Sequence, residues 1–201
     1  MRATLPLFPL GTVLYSGGLM PLRIFEARYI DMVSAALRQG TAFGVVPLLR
    51  GREVGREAEF HPLGTTATIT AWDQGPDGLL HIQIAGGERF RVHAHQRQAD
   101  GLIVSTVEAV APASDGPLPV QFDYLRALLA QIFEQNRAQV PYDDWQLDSA
   151  LWVGDRLAEV LPLTMDARIA VLEADSGAAK LALIDDILAE LKGPPPSSAH
   201  H

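Results

Sequence analysis

The side chains that could carry out covalent chemistry are few, and their spacing forms no recognisable catalytic motif. The chain has no cysteine, which excludes thiolate nucleophiles, thiolate metal sites and disulfides. Ser16 and Ser105 stand outside any G-x-S-x-G elbow of the kind that hydrolases use. A Ser–Lys pair would need Lys180 or Lys192, and we predict both lysines on the exposed face or at the end of the last helix. The residues therefore predict no catalytic site.

Motifs for cofactors and metals are also missing. Neither G-x-x-x-x-G-K-[ST] nor a G-x-G-x-x-G after a strand occurs, so no nucleotide cofactor is expected. His93 and His95 are two apart on a predicted strand and could face one way to ligate a metal, with His81 as the nearest third histidine. The favoured interpretation is two polar residues on the wet face of the strand. We expect no metal and no cofactor.

A small set of residues near turns is more suggestive of binding. Tyr15, Met20, Phe25 and Trp72 lie beside predicted turns, where exposed aromatic and methionine side chains can form a peptide-binding patch. Core packing is the commoner role for such residues. We predict a contact surface around these four and Arg23, extended by a charged loop over residues 50–59 and by the groove between the strand-rich and the helical half of the chain. Arg23, Glu26 and Arg28 are interpreted first as a structural charge cluster.

The first half of the chain is predicted to be rich in strands, with one inserted helix. Proline and glycine between residues 3 and 22 favour bent, extended chain, and residues 24–38 switch to a helical period that ends at Gly40. Short alternating segments separated by turn residues follow, up to about residue 110. This pattern predicts a small β-barrel or sandwich over residues 1–112.

The second half is predicted to be helical. A Pro/Gly-rich boundary at residues 111–119 precedes four apolar stripes at helical spacing, with Thr164 and Ser176 as candidate caps of the third and fourth helices. Short connections make these helices neighbours, which predicts a four-helix bundle over residues 118–192. The tail, residues 193–201, is expected to be disordered.

The net charge of −8 is concentrated in the helical half. Residues 1–117 carry ten basic and eleven acidic side chains, whereas residues 118–201 carry six and thirteen. An acidic surface repels a phosphate backbone, so nucleic acid is not expected as a partner. There is no apolar run of 18 residues and no convincing signal peptide, so we expect a cytoplasmic protein without a membrane partner.

An ordered set of segments resembles the N-terminal, substrate-binding domain of Lon proteases. The segments are Leu5–Tyr15, Met20–Tyr29, Leu63-Gly64-Thr65, Pro76-Asp77-Gly78, Gly87–Arg91, Leu157-Ala158-Glu159, Leu161-Pro162-Leu163 and Ala170–Glu173. The resemblance covers about residues 3–191. It implies an α+β fold in which a PUA-like β-barrel is followed by a helical bundle, and a role in recognising proteins or peptides.

The resemblance carries no catalytic residue into this chain. In full Lon proteases an ATPase domain and a Ser–Lys protease domain follow, and these 201 residues contain neither, so we expect a stand-alone, non-catalytic module. Its expected partners are proteins or unfolded peptides, with a protease or chaperone as a possible associate. Two alternatives stay open: an RNA-binding PUA-like protein, using Arg50, Arg52 and Arg56 or Arg89, Arg91 and Arg97, and a small hydrolase.

Overall fold

The structure is a computed structural model that describes residues 2–51 and 58–192. Most of the predicted loop at 50–59 and the predicted tail at 193–201 therefore lie outside the described residues. The chain divides into two compact units. One contains the described residues up to Pro112 together with Thr164–Ile169, and the other contains Ala113–Leu163 and the described residues from Ala170 onward.

The first unit is a mixed α/β structure with a mainly antiparallel sheet. Its strands are β1 (Arg2–Leu10), β2 (Leu19–Ile24), β3 (Phe43–Gly51), β4 (Ala58–Phe60), β5 (Leu63–Gln74), β6 (Leu80–Arg97) and β7 (Ile103–Ala109), and helix α1 (Ala27–Gln39) follows β2. The order in the sheet is β1-β7-β6-β5-β3-β4, and β2 pairs with the first half of β6. A short parallel pairing of β1 with β3 completes a barrel-like ring that is not evenly closed.

Alternation and bulges explain how this ring is built. In β5 and β6 the apolar residues at every second position face the interior, as expected for strands with one buried face. The residues Gly86-Gly87 favour a bulge or a sharp bend, and the irregularity found there does not end the strand. Instead the register of β5 against β6 shifts there, and β6 continues as one strand of 18 residues that can pair with β2 early and β7 late.

Helix α1 closes one side of the barrel interior. Its buried stripe, which includes Tyr29, Met32, Val33 and Ala36, packs with strand residues in one hydrophobic cluster. Gly40 takes a left-handed conformation at φ 62° and ends the helix, as the sequence predicts. The helix thus covers the apolar interior from its first turn onward.

The second unit is helical. Its helices are α2 (Asp123–Gln135), which a single 3₁₀ turn at Val120–Phe122 precedes, α3 (Ala150–Val160), α4 (Met165–Glu173), which begins in the first unit, and α5 (Gly177–Lys192). Thr164 and Ser176 accept hydrogen bonds from the backbone N–H groups of Ala167 and Ala179, so both predicted caps are confirmed. Among the described residues, the chain has no helix of the length and apolarity that a bilayer crossing requires.

The predicted exposure of Lys180 is wrong. Its side chain is buried and its Nζ pairs with Asp155 Oδ1 at 2.5 Å. The helical period gives the reason, because Lys180 lies four residues before the buried Ile184 and therefore on the buried face of α5. Gly154 on α3 permits this contact, since a Cβ there would stand 2.9 Å from Lys180 Cβ.

Candidate functional site

A surface pocket lies between β2, the end of β1 and the start of α1. It has a volume of about 230 Å³ and is lined by Phe8 and Leu10 of β1, residues 21–26 of β2 and the following turn, and Tyr29 of α1. Most of these side chains are apolar. A cavity of this size accommodates one bulky apolar side chain of a ligand with room to spare.

The pocket has rigid walls and one unusually exposed side chain. Phe8 and Tyr29 stack with their ring centroids 4.0 Å apart, and both rings belong to the buried core. Phe25, by contrast, is 56% exposed although it lines the same pocket. A large apolar side chain left in water beside an apolar pocket is typical of a binding surface.

An ion-pair network fixes the end of β2 to the hairpin turn between β5 and β6. Arg23 Nη2 donates to Asp77 Oδ2 at 2.6 Å, and His81 Nε2 lies 3.1 Å from Asp77 Oδ1. The backbone N–H of Leu79 also donates to Asp77 Oδ1, and this bond, with Arg23 and His81, holds the pKa of Asp77 below its ordinary value. The charge of Arg23 is therefore balanced locally.

A second ion pair lies under the pocket. Arg28 Nη2 is 2.8 Å from Glu26 Oε2, and its other amino group donates to the Gly101 carbonyl at 2.9 Å. The Arg28 side chain is only 8% exposed, and its guanidinium lies 4.6 Å from the centre of the Tyr29 ring. Within the predicted charge cluster, Glu26 thus pairs with Arg28, whereas Arg23 pairs with Asp77.

The five predicted contact residues do not lie together: two of them line the pocket and three do not. Arg23 and Phe25 line the pocket, whereas Met20 is half-buried on β2 and packs against the core. Trp72 is 62% exposed on β5, where it lies opposite Ile82 of β6, and it does not line the pocket. Tyr15 is completely buried and its hydroxyl donates to the Arg168 carbonyl at 2.8 Å, so it supports the unit from inside and cannot reach a surface ligand.

Sequence reasoning missed Asp77 and the pocket walls Phe8 and Leu10. Asp77 was interpreted only as a turn residue, which a Pro-Asp-Gly sequence favours. Phe8 and Leu10 lie in a Pro-rich stretch whose partner strands no local pattern reveals. The alternation of Pro21, Arg23 and Phe25 against Leu22 and Ile24 was the one signal that β2 turns one face to solvent.

The histidines of the β6 strand are held separately. The register of β6 against β7 shifts between Val92 and Ala94, so His93 is the extra residue of a bulge. His93 Nε2 lies 2.6 Å from Glu108 Oε2, an interaction that lowers the pKa of Glu108, while the His95 ring meets Phe60 edge-on. Across residues 2–51 and 58–192, no three potential metal ligands cluster together.

The described arginines considered for RNA binding differ in their surroundings. Arg89 is buried and donates to the Ala111 carbonyl at 3.0 Å, and Arg97 donates to the Gly101 carbonyl at 3.1 Å. Arg52 and Arg56 lie outside the described residues. Of the described arginines in these two groups, Arg89 is therefore withdrawn from a phosphate backbone, whereas Arg50, Arg91 and Arg97 are exposed.

The second unit contains a charged and aromatic cluster that the sequence analysis did not anticipate. Arg156 on α3 is completely buried, and its Nη2 is 2.8 Å from Glu159 Oε1. Its guanidinium lies 4.9 Å from the centre of the Tyr142 ring, and the Tyr142 hydroxyl donates to Glu159 Oε2 at 2.8 Å. Burial raises the pKa of Glu159 to about 7, against the opposing effects of Arg156 and Tyr142.

Comparison with solved structures identifies close structural relatives. A Lon N-terminal domain protein from Xanthomonas campestris superposes with a TM-score of 0.74 at 35% identity, covering 93% of this chain and 98% of the other. The N-terminal domain of a Mycobacterium avium complex Lon protease gives a TM-score of 0.63 at 19% identity, covering 91% and 97%. The second likeness shows the shared fold alone.

Curated proteins and a family model agree with this. The chain is 25% identical over 192 residues to Lon protease 2 of Myxococcus xanthus and 33% identical over 111 residues to cereblon of Danio rerio. These matches cover 92% and 52% of this chain, but only 23% and 25% of the two relatives. A family model described as the ATP-dependent protease La (LON) substrate-binding domain matches residues 4–190. The chain therefore belongs to the Lon substrate-binding domain family.

Proposed function

We propose that this chain is a non-catalytic recognition module that binds polypeptide segments in the cytoplasm. The observation that carries the proposal is the apolar pocket of about 230 Å³ with the half-exposed Phe25 at its edge. Membership of a substrate-binding domain family supports it. We also infer that the ring of strands corresponds to a PUA-like barrel and the four helices from α2 to α5 to a bundle.

The chemistry of the pocket is suited to binding and offers nothing for bond cleavage. Its charged side chains, Arg23 and Glu26, are each engaged in an ion pair, and Tyr29 and apolar residues complete its lining. Neither group is paired with a nucleophile. We therefore place the contact surface at Phe25, Arg23 and the exposed part of Met20, with Trp72 as a separate exposed aromatic nearby on the sheet. A partner protease or chaperone would receive the bound segment.

The test is binding of an unfolded protein to the surface around Phe25. Fluorescence anisotropy with labelled, reduced and carbamidomethylated α-lactalbumin measures the affinity of the parent protein and of Phe25→Ser. We expect Phe25→Ser to weaken binding by about tenfold, since loss of a buried aromatic contact typically costs more than 1 kcal/mol. The melting temperature should change little, because Phe25 is already exposed.

A matched control comes from the same helix region. Leu37 on α1 is 38% exposed and does not line the pocket, so Leu37→Ser removes a comparable apolar surface elsewhere. We expect this variant to bind like the parent protein. Equal affinities for Phe25→Ser and Leu37→Ser would refute the assignment of the pocket, and failure of the parent protein to bind at moderate salt would refute the function.

A further inference from the structure

Within residues 2–51 and 58–192, strand β2 has one edge that no other strand covers. Among the described residues it pairs only with β6, over Leu19–Ile24, while the ring itself runs through the other strands. The pocket lies along this same strand, with the last residues of β1 on its other side. The pocket thus lies beside the uncovered edge of β2.

The pairing with β6 shows which residues of β2 bond to that strand and which direct their backbone groups to the other edge. In an antiparallel pair, residues alternate between those that exchange both backbone hydrogen bonds with the partner and those that exchange none. Gly86 N–H donates to the Gly18 carbonyl at 2.8 Å, and Leu19 lies opposite Ala85. The bonded positions of β2 are therefore the even-numbered residues, and Pro21 and Arg23 direct their backbone groups to the uncovered edge.

Pro21 is consistent with this phase. Proline has no N–H to donate, so within a sheet it is tolerated where its nitrogen faces an uncovered edge. It also prevents a long uninterrupted ladder on that edge, which limits aggregation of the free protein. The backbone N–H and C=O of Arg23 remain directed outward two residues later.

The charges around the pocket favour an uncharged ligand. Arg23 is paired with Asp77 at 2.6 Å, and Glu26 is paired with Arg28 at 2.8 Å. A charged side chain entering the pocket would have to break one of these pairs or enter an apolar cavity without a partner, which is unfavourable. A bulky apolar side chain meets Phe25, Leu22 and Tyr29 without this penalty.

We propose that an extended polypeptide segment with an uncharged, bulky apolar side chain adds as a strand to the outer edge of β2, with its backbone bonded to Arg23 and its apolar side chain in the pocket. This rests on the proposed function and specifies how the segment is held. Strand addition supplies sequence-independent affinity through the backbone, and the pocket supplies the preference for an apolar anchor. Together they suit recognition of unfolded chains, which expose both features.

The first arm of the test uses synthetic peptides. Three labelled decapeptides of alternating Ser and Thr carry Leu, Asp or Lys at one central position, and a fourth carries Leu with N-methylated backbone amides on the edge that would face β2. We expect the Leu peptide to bind at least about tenfold more tightly than the other three, as expected when buried apolar contacts and backbone bonds are lost.

The second arm reports on the backbone of β2 directly. Arg23→Pro removes the outward N–H, whereas Arg23→Ala removes the same side chain and keeps that N–H. We expect Arg23→Pro to lose about tenfold more affinity than Arg23→Ala, in line with one lost backbone contact and its steric effect. Independently of folding in any variant, amide hydrogen exchange at Arg23 in the parent protein should slow when the Leu peptide is added.

The outcomes separate this inference from the proposed function. If the parent protein binds unfolded α-lactalbumin but binds the N-methylated peptide as well as the Leu peptide, with unchanged exchange at Arg23, strand addition is overturned and the proposed function stands. If the Asp or Lys peptide binds as tightly as the Leu peptide, the apolar anchor is overturned. If no unfolded chain binds, both proposals are overturned.

Discussion

Glu26 illustrates how a residue beside the proposed site can serve structure more than binding. It occupies the position before α1, yet its side chain caps no backbone N–H of that helix. Its carboxylate instead pairs with Arg28, which is only 8% exposed. An arginine this deeply placed needs an anionic or carbonyl partner, because an uncompensated buried charge is costly.

We predict that Glu26→Ala lowers the free energy of unfolding by about 1–3 kcal/mol, the usual range when a hydrogen bond to a buried charged group is lost. Affinity for unfolded α-lactalbumin should fall by less in Glu26→Ala than it does in Phe25→Ser. Urea unfolding followed by circular dichroism measures the stability. Asp31→Ala, which changes an exposed carboxylate on the same helix, is the control. A Glu26→Ala protein as stable as the Asp31→Ala control would rule out the structural role.

At the scale of elements, local sequence patterns predicted the features that depend only on neighbouring residues, such as a helix and its caps. The helix expected at residues 24–38 forms at Ala27–Gln39, and the caps Thr164 and Ser176 form as their residue types suggest. The glycines at 86 and 87 favour a bulge, but the patterns could not show that β6 continues through it as one strand, because that depends on its pairing with β5 and β7. They also could not show that Arg23 meets Asp77, because that contact spans 54 residues.

The segment between α2 and α3 was also beyond prediction, and it carries a titratable contact. Tyr142 in this segment donates to Glu159 of α3, and Trp145 Nε1 donates to the Tyr142 carbonyl at 3.0 Å. The sequence analysis assigns no role to these aromatic residues. In the structure they surround the guanidinium of Arg156, which faces Glu159 and lies next to Asp155 in the chain.

We predict that Glu159 makes stability decrease as the pH rises from about 4.5 to 7. Its folded pKa, about 7, is above its ordinary value, so the folded protein binds this proton more tightly than the unfolded chain does. The stabilising contribution is complete below the unfolded pKa and is lost as the pH rises through the folded pKa. Urea unfolding at several pH values measures this effect. Over this range the free energy of unfolding should fall less in Glu159→Gln than in the parent protein, by on the order of 1–3 kcal/mol.

The control for this pH effect is a carboxylate of the same unit with an exposed side chain. Glu134 pairs with Arg137 at the surface, so Glu134→Gln should leave the pH dependence of the parent protein intact. Parallel curves for the parent protein and Glu159→Gln would show that Glu159 titrates at the same pH in the folded and unfolded states.

At the scale of the whole molecule, the two units differ in the kinds of side chain that they bury. The first unit fills its interior with apolar side chains of strands and α1, and its buried charges, Arg28 and Arg89, bond to carbonyl groups as well. The second unit, in the acidic half of the chain, buries ionic pairs within its helices. Its apolar core includes Leu125, Leu129, Phe133, Val153, Leu157, Leu181 and Ile184.

The pair of Lys180 and Asp155 shows why the acidic half tolerates a buried lysine. Both side chains are 3% exposed, and the lysine on α5 meets the carboxylate on α3 at 2.5 Å. Gly154 and Gly177 bring the two helices close, since a Cβ at Gly177 would stand 2.3 Å from Leu151 N. The pair therefore lies where the two helices are closest and where little water can enter.

We predict that Lys180→Ala lowers the free energy of unfolding by about 3–5 kcal/mol, because it leaves Asp155 buried without its cationic partner. Lys180→Met combined with Asp155→Leu should recover most of that loss, since well-packed apolar residues often replace a buried ion pair at little cost. Urea unfolding of Lys180→Met, of Asp155→Leu and of the double variant gives the coupling energy. Additive effects of the two single substitutions would mean that the pair is not coupled.

Because both residues lie in the helical unit and the proposed site lies in the other, binding of the Leu peptide by the folded double variant should match the parent protein.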